Sequence, residues 1–208
     1  MQLHKRDVIR KATEILDNFG IADLTMRRLA RELDVTAGAL YWHVANKQEL
    51  LGAVADEVLR PAVGPAPAAD WQERTVTVCS RLRDALLSHT DGAELVSASF
   101  ASGQSAAMPQ ILSLLTAAAE DAGVPATQAE LAARTVVYYV LGFTVDEQSR
   151  LQWDAAGAAL APEQSMLDSL SRPQDTFGFG LSLLIDGMSV RGAQRSSGLR
   201  QHSDNGSA

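Results

Sequence analysis

The chain has 208 residues, 46% of them hydrophobic, and its 18 Lys and Arg against 25 Asp and Glu give a net charge of −7. That is enough for one large or two small soluble domains. A single cysteine, Cys79, excludes an internal disulfide framework and a cysteine zinc site. No apolar run reaches the roughly 18–20 residues of a membrane helix, and the charged first twelve residues lack the apolar core of a signal peptide, so no membrane partner is expected and the cytoplasm is the expected location.

The pattern is helical throughout, with no sustained apolar/polar alternation and no internal repeat, so the expected class is all-α. A first helix over 4–18 places Val8, Ala12, Ile15, Leu16 and Phe19 on one face, and Gly20 stops it. Thr25 caps a second helix that buries Leu29, Ala30 and Leu33. After a tight connection at Asp34-Val35, Thr36 caps a short third helix reaching Val44. Asn46 caps a fourth, with Glu49 completing a capping box and Leu50, Leu51, Val54, Ala55 and Val58 as its stripe. The Pro/Ala-rich stretch 61–69 reads as a linker between a domain over 1–60 and one over 70–191. Helices are expected over 70–90, 93–101 and 107–122. Thr127 and Glu130 suggest a capping box for a long helix to Trp153, with the apolar run 136–145 buried on most sides. A short helix can follow Pro162. A last helix over 175–190 carries Phe177, Leu181, Leu184, Ile185 and Met188, and 192–208 reads as a disordered tail.

The chemistry concentrates in residues 24–50. Two short helices joined by a few residues, followed at once by a capped third, make a helix-turn-helix pattern. Leu40 and Val44 can both face the core, so Tyr41, Trp42 and His43 cannot all point inward. Ala37, Gly38 and Ala39 are small enough for close approach to a base edge or a phosphate. Arg27 and Arg28 open the preceding helix and Lys47 the following one, where helix N-termini also favour phosphate. The charge follows this division. Residues 1–48 hold eight basic and six acidic side chains, and residues 49–208 hold ten basic and nineteen acidic. A mildly basic head on a strongly acidic body reads as two parts with different partners.

The head, through Leu40-Tyr41-Trp42-His43-Val44, Asn46-Lys47 and Leu50-Leu51, resembles the DNA-binding domain of the tetracycline repressor (TetR) family. The body resembles the effector domain of the same family's tetracycline-repressor subgroup at 85–89, 91–93, 141–142, 146–148 and 177–181. The resemblance implies that Arg27 reads a base, and that Thr25, Tyr41, Trp42, His43 and Lys47 contact phosphate and sugar, with Thr36 at the turn. The best-matching member carries Gln-Pro-Thr where this chain has Ala37-Gly38-Ala39. Ala37 cannot hydrogen-bond to a base, so a different operator is expected.

In that subgroup the effector is a drug carried as a magnesium chelate, held directly by a histidine and through water by a threonine and a glutamate. Val96, Ser99 and Asp146 fall at those three positions, and Val78, Phe100 and Leu115 replace an asparagine, an arginine and a glutamine. Valine cannot ligate magnesium. The expectation is therefore a mostly apolar effector in a pocket of Val78, Leu82, Val96, Ser99, Phe100, Leu115 and Asp146, with no metal or other cofactor. His4, His43, His89 and His202 show no paired ligand spacing, and Cys79 has no neighbouring base, so no enzymatic site is expected. The expected function is a repressor on palindromic operator DNA; one helix-turn-helix unit reads too few base pairs, so a homodimer is expected, paired through the last two helices at Val136, Leu181, Leu184, Ile185 and Met188. A ligand-dependent activator of the same fold, and a helical enzyme or carrier without DNA binding, remain open alternatives.

Overall fold

The computed structural model describes residues 3–65, 68–157 and 173–204, the side chains of the last stretch only over 174–193. Helix α1 (Lys5–Phe19) buries Val8, Ala12, Ile15 and Leu16, the stripe its spacing sets. Phe19 departs from the expected face. It is exposed, with the Arg28 guanidinium 3.7 Å above its ring. Gly20 ends the helix at φ 78°, its amide on the Leu16 carbonyl. A Cβ there would be strained at that φ and would push against an Asp91 carboxylate oxygen 2.6 Å away.

A single 3-10 turn, Ile21–Asp23, leads to α2 (Met26–Glu32). The Thr25 hydroxyl caps α2 by accepting from the Arg28 amide at 3.1 Å. Asp34, at φ 53°, turns the chain into α3 (Ala37–Leu40), which Thr36 caps through the Ala39 amide. The third helix is shorter than expected. Residues 41–43 form a turn, with the amides of His43 and Val44 both on the Leu40 carbonyl. Asn46 caps α4 (Lys47–Leu59), and Glu49 accepts from the Ala45 amide, one residue before the cap.

Helices α5 (Trp71–Leu87), α6 (Gly92–Ser102), α7 (Ala107–Asp121) and α8 (Ala126–Ala155) build the body. The expected Thr127–Glu130 box does not cap α8. Pro125 precedes the helix, its ring holding φ at −54°, and Glu130 pairs instead with Arg134. Within 136–145 one face of α8 is buried, while Tyr138 and Gly142 on the other are exposed. Helix α9 (Pro173–Asp204) begins near the expected place but continues into the segment read as a disordered tail, with no proline to stop it. The short helix placed after Pro162 lies outside the described residues.

Among the described residues one apolar cluster joins head and body: Leu50, Val54 and Val58 of α4 meet Leu82 and Leu86 of α5, Val96 of α6, Ile111 and Leu115 of α7, and Val137 and Val140 of α8. Each large aliphatic side chain buried there contributes about 1.5–3 kcal/mol. Helix α4 belongs to both the head and the body core, so movement in either is felt along it. Among the described residues no strand occurs, and no helix is long and apolar enough to cross a membrane.

Candidate functional site

The helix-turn-helix unit presents one face made by the start of α2, the 36–43 segment and the start of α4. Leu40 and Val44 anchor that segment in the core, which forces the residues between them outward. Tyr41 is 51% and Trp42 90% exposed, and His43 is half-buried. Ala37 and Gly38 are exposed beside them and Ala39 partly so. Arg27 and Lys47 are exposed and make no ion pair among the described residues. By helix geometry the amides of Lys47 and Gln48 at the start of α4 lack intrahelical acceptors, so they are open to a phosphate. The hydroxyls of Thr25 and Thr36 accept a cap hydrogen bond, and their own protons remain free to donate.

Arg28 does not belong to this face. Its side chain pairs with Asp23, approaches Glu32 and stacks on Phe19, with only 18% of it exposed. Sequence spacing placed it beside Arg27, but successive helical residues point about 100° apart, and the acidic residue and aromatic ring at Asp23 and Phe19 hold Arg28 inward.

The expected effector pocket is largely core. Val78, Leu82, Val96 and Leu115 are buried against one another, and Asp146 is exposed and bound to Arg150 at 2.7 Å. Ser99 and Phe100, however, line a cavity of about 520 Å³ between α6, α7 and the first half of α8, with Met108, Leu112, Glu120 and Arg134. That volume suits a small organic molecule. Ser99 is 2% exposed, and its hydroxyl is buried without a hydrogen-bond partner. Arg134 hydrogen-bonds Glu130 at 3.0 Å and lies over the Phe100 ring. The Glu130 hydrogen bond pushes the guanidinium further above its ordinary range. Among the described residues no group of three His, Cys, Asp or Glu gathers as a metal site would require.

Two polar joints tie this body to the head, and neither was read from the sequence. In the first, the Asp56 carboxylate of α4 accepts from the Ser105 hydroxyl at 2.7 Å and from the amides of Ala106 and Ala107 at 3.2 and 3.0 Å. Asp56 thereby caps α7 from another helix. Gly52, one turn earlier, lies against the Gln104 backbone, where a Cβ would sit 2.5 Å from the carbonyl oxygen. The 103–107 segment is both a cavity wall and a fixture on α4. In the second joint, Gln148 of α8 donates to the Leu86 and His89 carbonyls and accepts from the Ala93 amide. The turn it holds grips the head: Asp91 accepts from the Ile21 amide at 2.9 Å, the His89 ring meets Asp17 at 2.9 Å, and Thr90 donates to the Asp17 carbonyl. The only sequence signal for these was a Ser three residues before Met108, a cap spacing, and the 88–93 motif itself.

The expected pairing residues also turn inward. Val136, Leu181, Ile185 and Met188 are buried on the chain's own core, and Leu184 is half-buried. Periodicity detects a buried stripe but not whose surface buries it. Among the described residues the large apolar side chains left open on α8 and α9 are Leu131, Tyr138, Leu151, Trp153, Phe179, Leu183 and Val190, and Phe179 is 66% exposed. Gly180 lets α9 close on α8 at Tyr139, whose hydroxyl donates to the Phe177 carbonyl at 2.7 Å.

Residues 8–54 match the family model for bacterial regulatory proteins of the tetR family, and residues 64–191 match the tetracyclin repressor-like C-terminal domain. The tetracycline repressor protein class A from transposon 1721 of Escherichia coli is 32% identical over 208 residues, spanning 91% of this chain and 92% of that one. The crystal structure of Mycobacterium smegmatis BioQ is 62% identical, with a TM-score of 0.85 over 92% of this chain and 100% of that one. BioQ with its natural double-stranded DNA operator is 60% identical, with a TM-score of 0.79 over 90% and 99%. With both halves matched in order over nearly the whole length, the chain belongs to the tetR family of bacterial regulatory proteins.

Proposed function

We propose that the chain is a ligand-responsive transcriptional repressor. It binds palindromic operator DNA as a homodimer in the cytoplasm and leaves the operator when a small effector occupies the α6–α7–α8 cavity. It carries out no chemical step. The observation that carries this reading is the pair of exposed aromatics, Tyr41 and Trp42, pinned between buried Leu40 and Val44 and flanked by Arg27 and Lys47, which make no ion pair among the described residues. Water does not favour that arrangement, whereas a sugar-phosphate backbone covers it. A relative 60% identical to the chain has been crystallised on its operator.

In this reading Arg27 reads a base edge, and Thr25, Tyr41, Trp42, His43, Lys47 and the α4 N-terminus set the register on phosphates. Ala37, Gly38 and Ala39 bring α3 close without a hydrogen-bonding side chain, so the operator differs from one read there by glutamine. One such unit reads too few base pairs, and a two-fold dimer places two of them on half-sites about one helical turn or a multiple apart. The open stripe of Leu131, Tyr138, Phe179, Leu183 and Val190 is the proposed pairing surface. Release runs through the 103–107 segment: an effector that displaces it drags Asp56 and Gly52, and α4 carries the shift to Lys47. The effector acts only by its tighter binding to the non-DNA arrangement. A full reversal from 1:99 to 99:1 needs about 10⁴-fold discrimination.

A promoter reporter for the neighbouring gene, with and without this protein, tests the reading. Higher expression without it supports repression, and lower expression identifies an activator. Failure to shift any upstream fragment in a gel, with Tyr41→Ala/Lys47→Ala as control, would remove DNA binding altogether.

A further inference from the structure

The cavity's two ends differ in chemistry. At the inner end Met108 and Leu112 are buried, and the Ser99 hydroxyl is enclosed with no partner. A hydroxyl shut away from water in this manner normally has a hydrogen-bonding group to meet. At the outer end stand Glu120, Glu130 and Arg134. Arg134 is already neutralised by Glu130 and its guanidinium is spent on the Phe100 face. Glu120 makes no ion pair among the described residues. The cavity thus carries one carboxylate in excess, at the far end of α7 from the hydroxyl. Met108 and Glu120 are twelve residues apart on α7, about 18 Å along its axis, and Leu112, Thr116 and Ala117 lie on the same wall.

We infer that the effector is a cationic amphiphile, with an ammonium head at Glu120, an apolar body along α7 and a hydrogen-bonding group at its inner end on Ser99. This rests on the effector reading of the cavity given above. A carboxylate-headed ligand meets Glu120 and the Glu130 partner of Arg134, both negative, and is disfavoured. A neutral ligand satisfies Ser99 but leaves Glu120 unused. The class follows from two separate observations, an orphaned buried hydroxyl and, at the other end of the same partly polar channel, an exposed carboxylate with no ion pair among the described residues.

The test uses the full-length protein and four matched probes below their aggregation limits: 12-aminododecan-1-ol, dodecylamine, dodecan-1-ol and dodecanoate. Affinities come from isothermal titration. The amino alcohol binds most tightly and dodecylamine outranks dodecanoate at least tenfold. Glu120→Gln, an exposed substitution that leaves the fold intact, brings the amine and the carboxylate within threefold. Ser99→Ala abolishes the advantage of the amino alcohol over dodecylamine. Dodecanoate binding as tightly as dodecylamine, an amine preference untouched by Glu120→Gln, or no binding by any probe overturns the inference. Operator release is read separately by fluorescence anisotropy. A probe that obeys these rankings but leaves the operator bound upholds the ligand class and refutes the effector role of the cavity.

Discussion

Replacing Asp56 by alanine removes one acceptor that serves three donors: the Ser105 hydroxyl and the amides of Ala106 and Ala107. Loss of a helix N-cap costs about 1 kcal/mol, and a further hydrogen bond to a charged acceptor about 1.5 kcal/mol. Ala106 is exposed and regains water, so it adds little. The expected total is about 2–3 kcal/mol. At 208 residues each 1 kcal/mol lowers Tm by roughly 2–4 °C, so calorimetry should record a fall of about 4–12 °C. Asp56→Asn keeps the size and one acceptor oxygen and should fall between. The second readout is coupling. With the joint cut, the 103–107 segment and α4 move independently, so an effector still binds but releases the operator less. Anisotropy of a labelled operator fragment, titrated with effector, measures this. A variant with unchanged Tm and unchanged release would refute the idea that Asp56 carries the signal.

Arg27→Ala should weaken operator binding by about 1–3 kcal/mol and relax selectivity at one base pair, whereas Arg28→Ala should lower stability by about 1 kcal/mol and leave the salt slope of binding unchanged. A shared loss of DNA affinity would mean Arg28 leaves Asp23 to reach the duplex. Phe179→Glu/Leu183→Glu should give a folded monomer by light scattering, because both side chains are exposed in the single chain; a persistent dimer would locate pairing elsewhere. Burial pushes the Cys79 thiol from its usual value near 9 up to about 12. The folded protein therefore holds that proton where the unfolded chain has lost it, and its contribution to stability declines as pH rises from about 9 towards 12. At pH 8 the thiol should react with a disulfide reagent only upon unfolding, and rapid labelling of native protein would contradict its enclosure.

The head was legible because its signals are local. Thr25, Thr36 and Asn46 cap within three residues, and the position of Tyr41 and Trp42 between Leu40 and Val44 forces exposure whatever surrounds them. Arg28 differs from Arg27 in placement because its partners, Phe19 and Asp23, sit on another helix and a turn, which the spacing of the two arginines does not show. The body was less legible because its contacts are long-range. Val78, Val96 and Leu115 are apolar in a pocket wall or in a core, and only packing distinguishes the two. Leu181 and Ile185 mark a buried stripe without saying what buries it. Asp56 gave no hint, since its three donors lie about fifty residues away.

The most direct test of DNA recognition by the 36–47 surface is an anisotropy titration of the full-length protein on the DNA upstream of its own gene, between about 50 and 200 mM salt. Saturable binding is expected, its logarithm falling linearly with the logarithm of salt, with a shallower slope for Tyr41→Ala/Lys47→Ala, which gives up one charged phosphate contact, that of Lys47, in each half-site. Binding by that double variant with wild-type affinity and slope would contradict it.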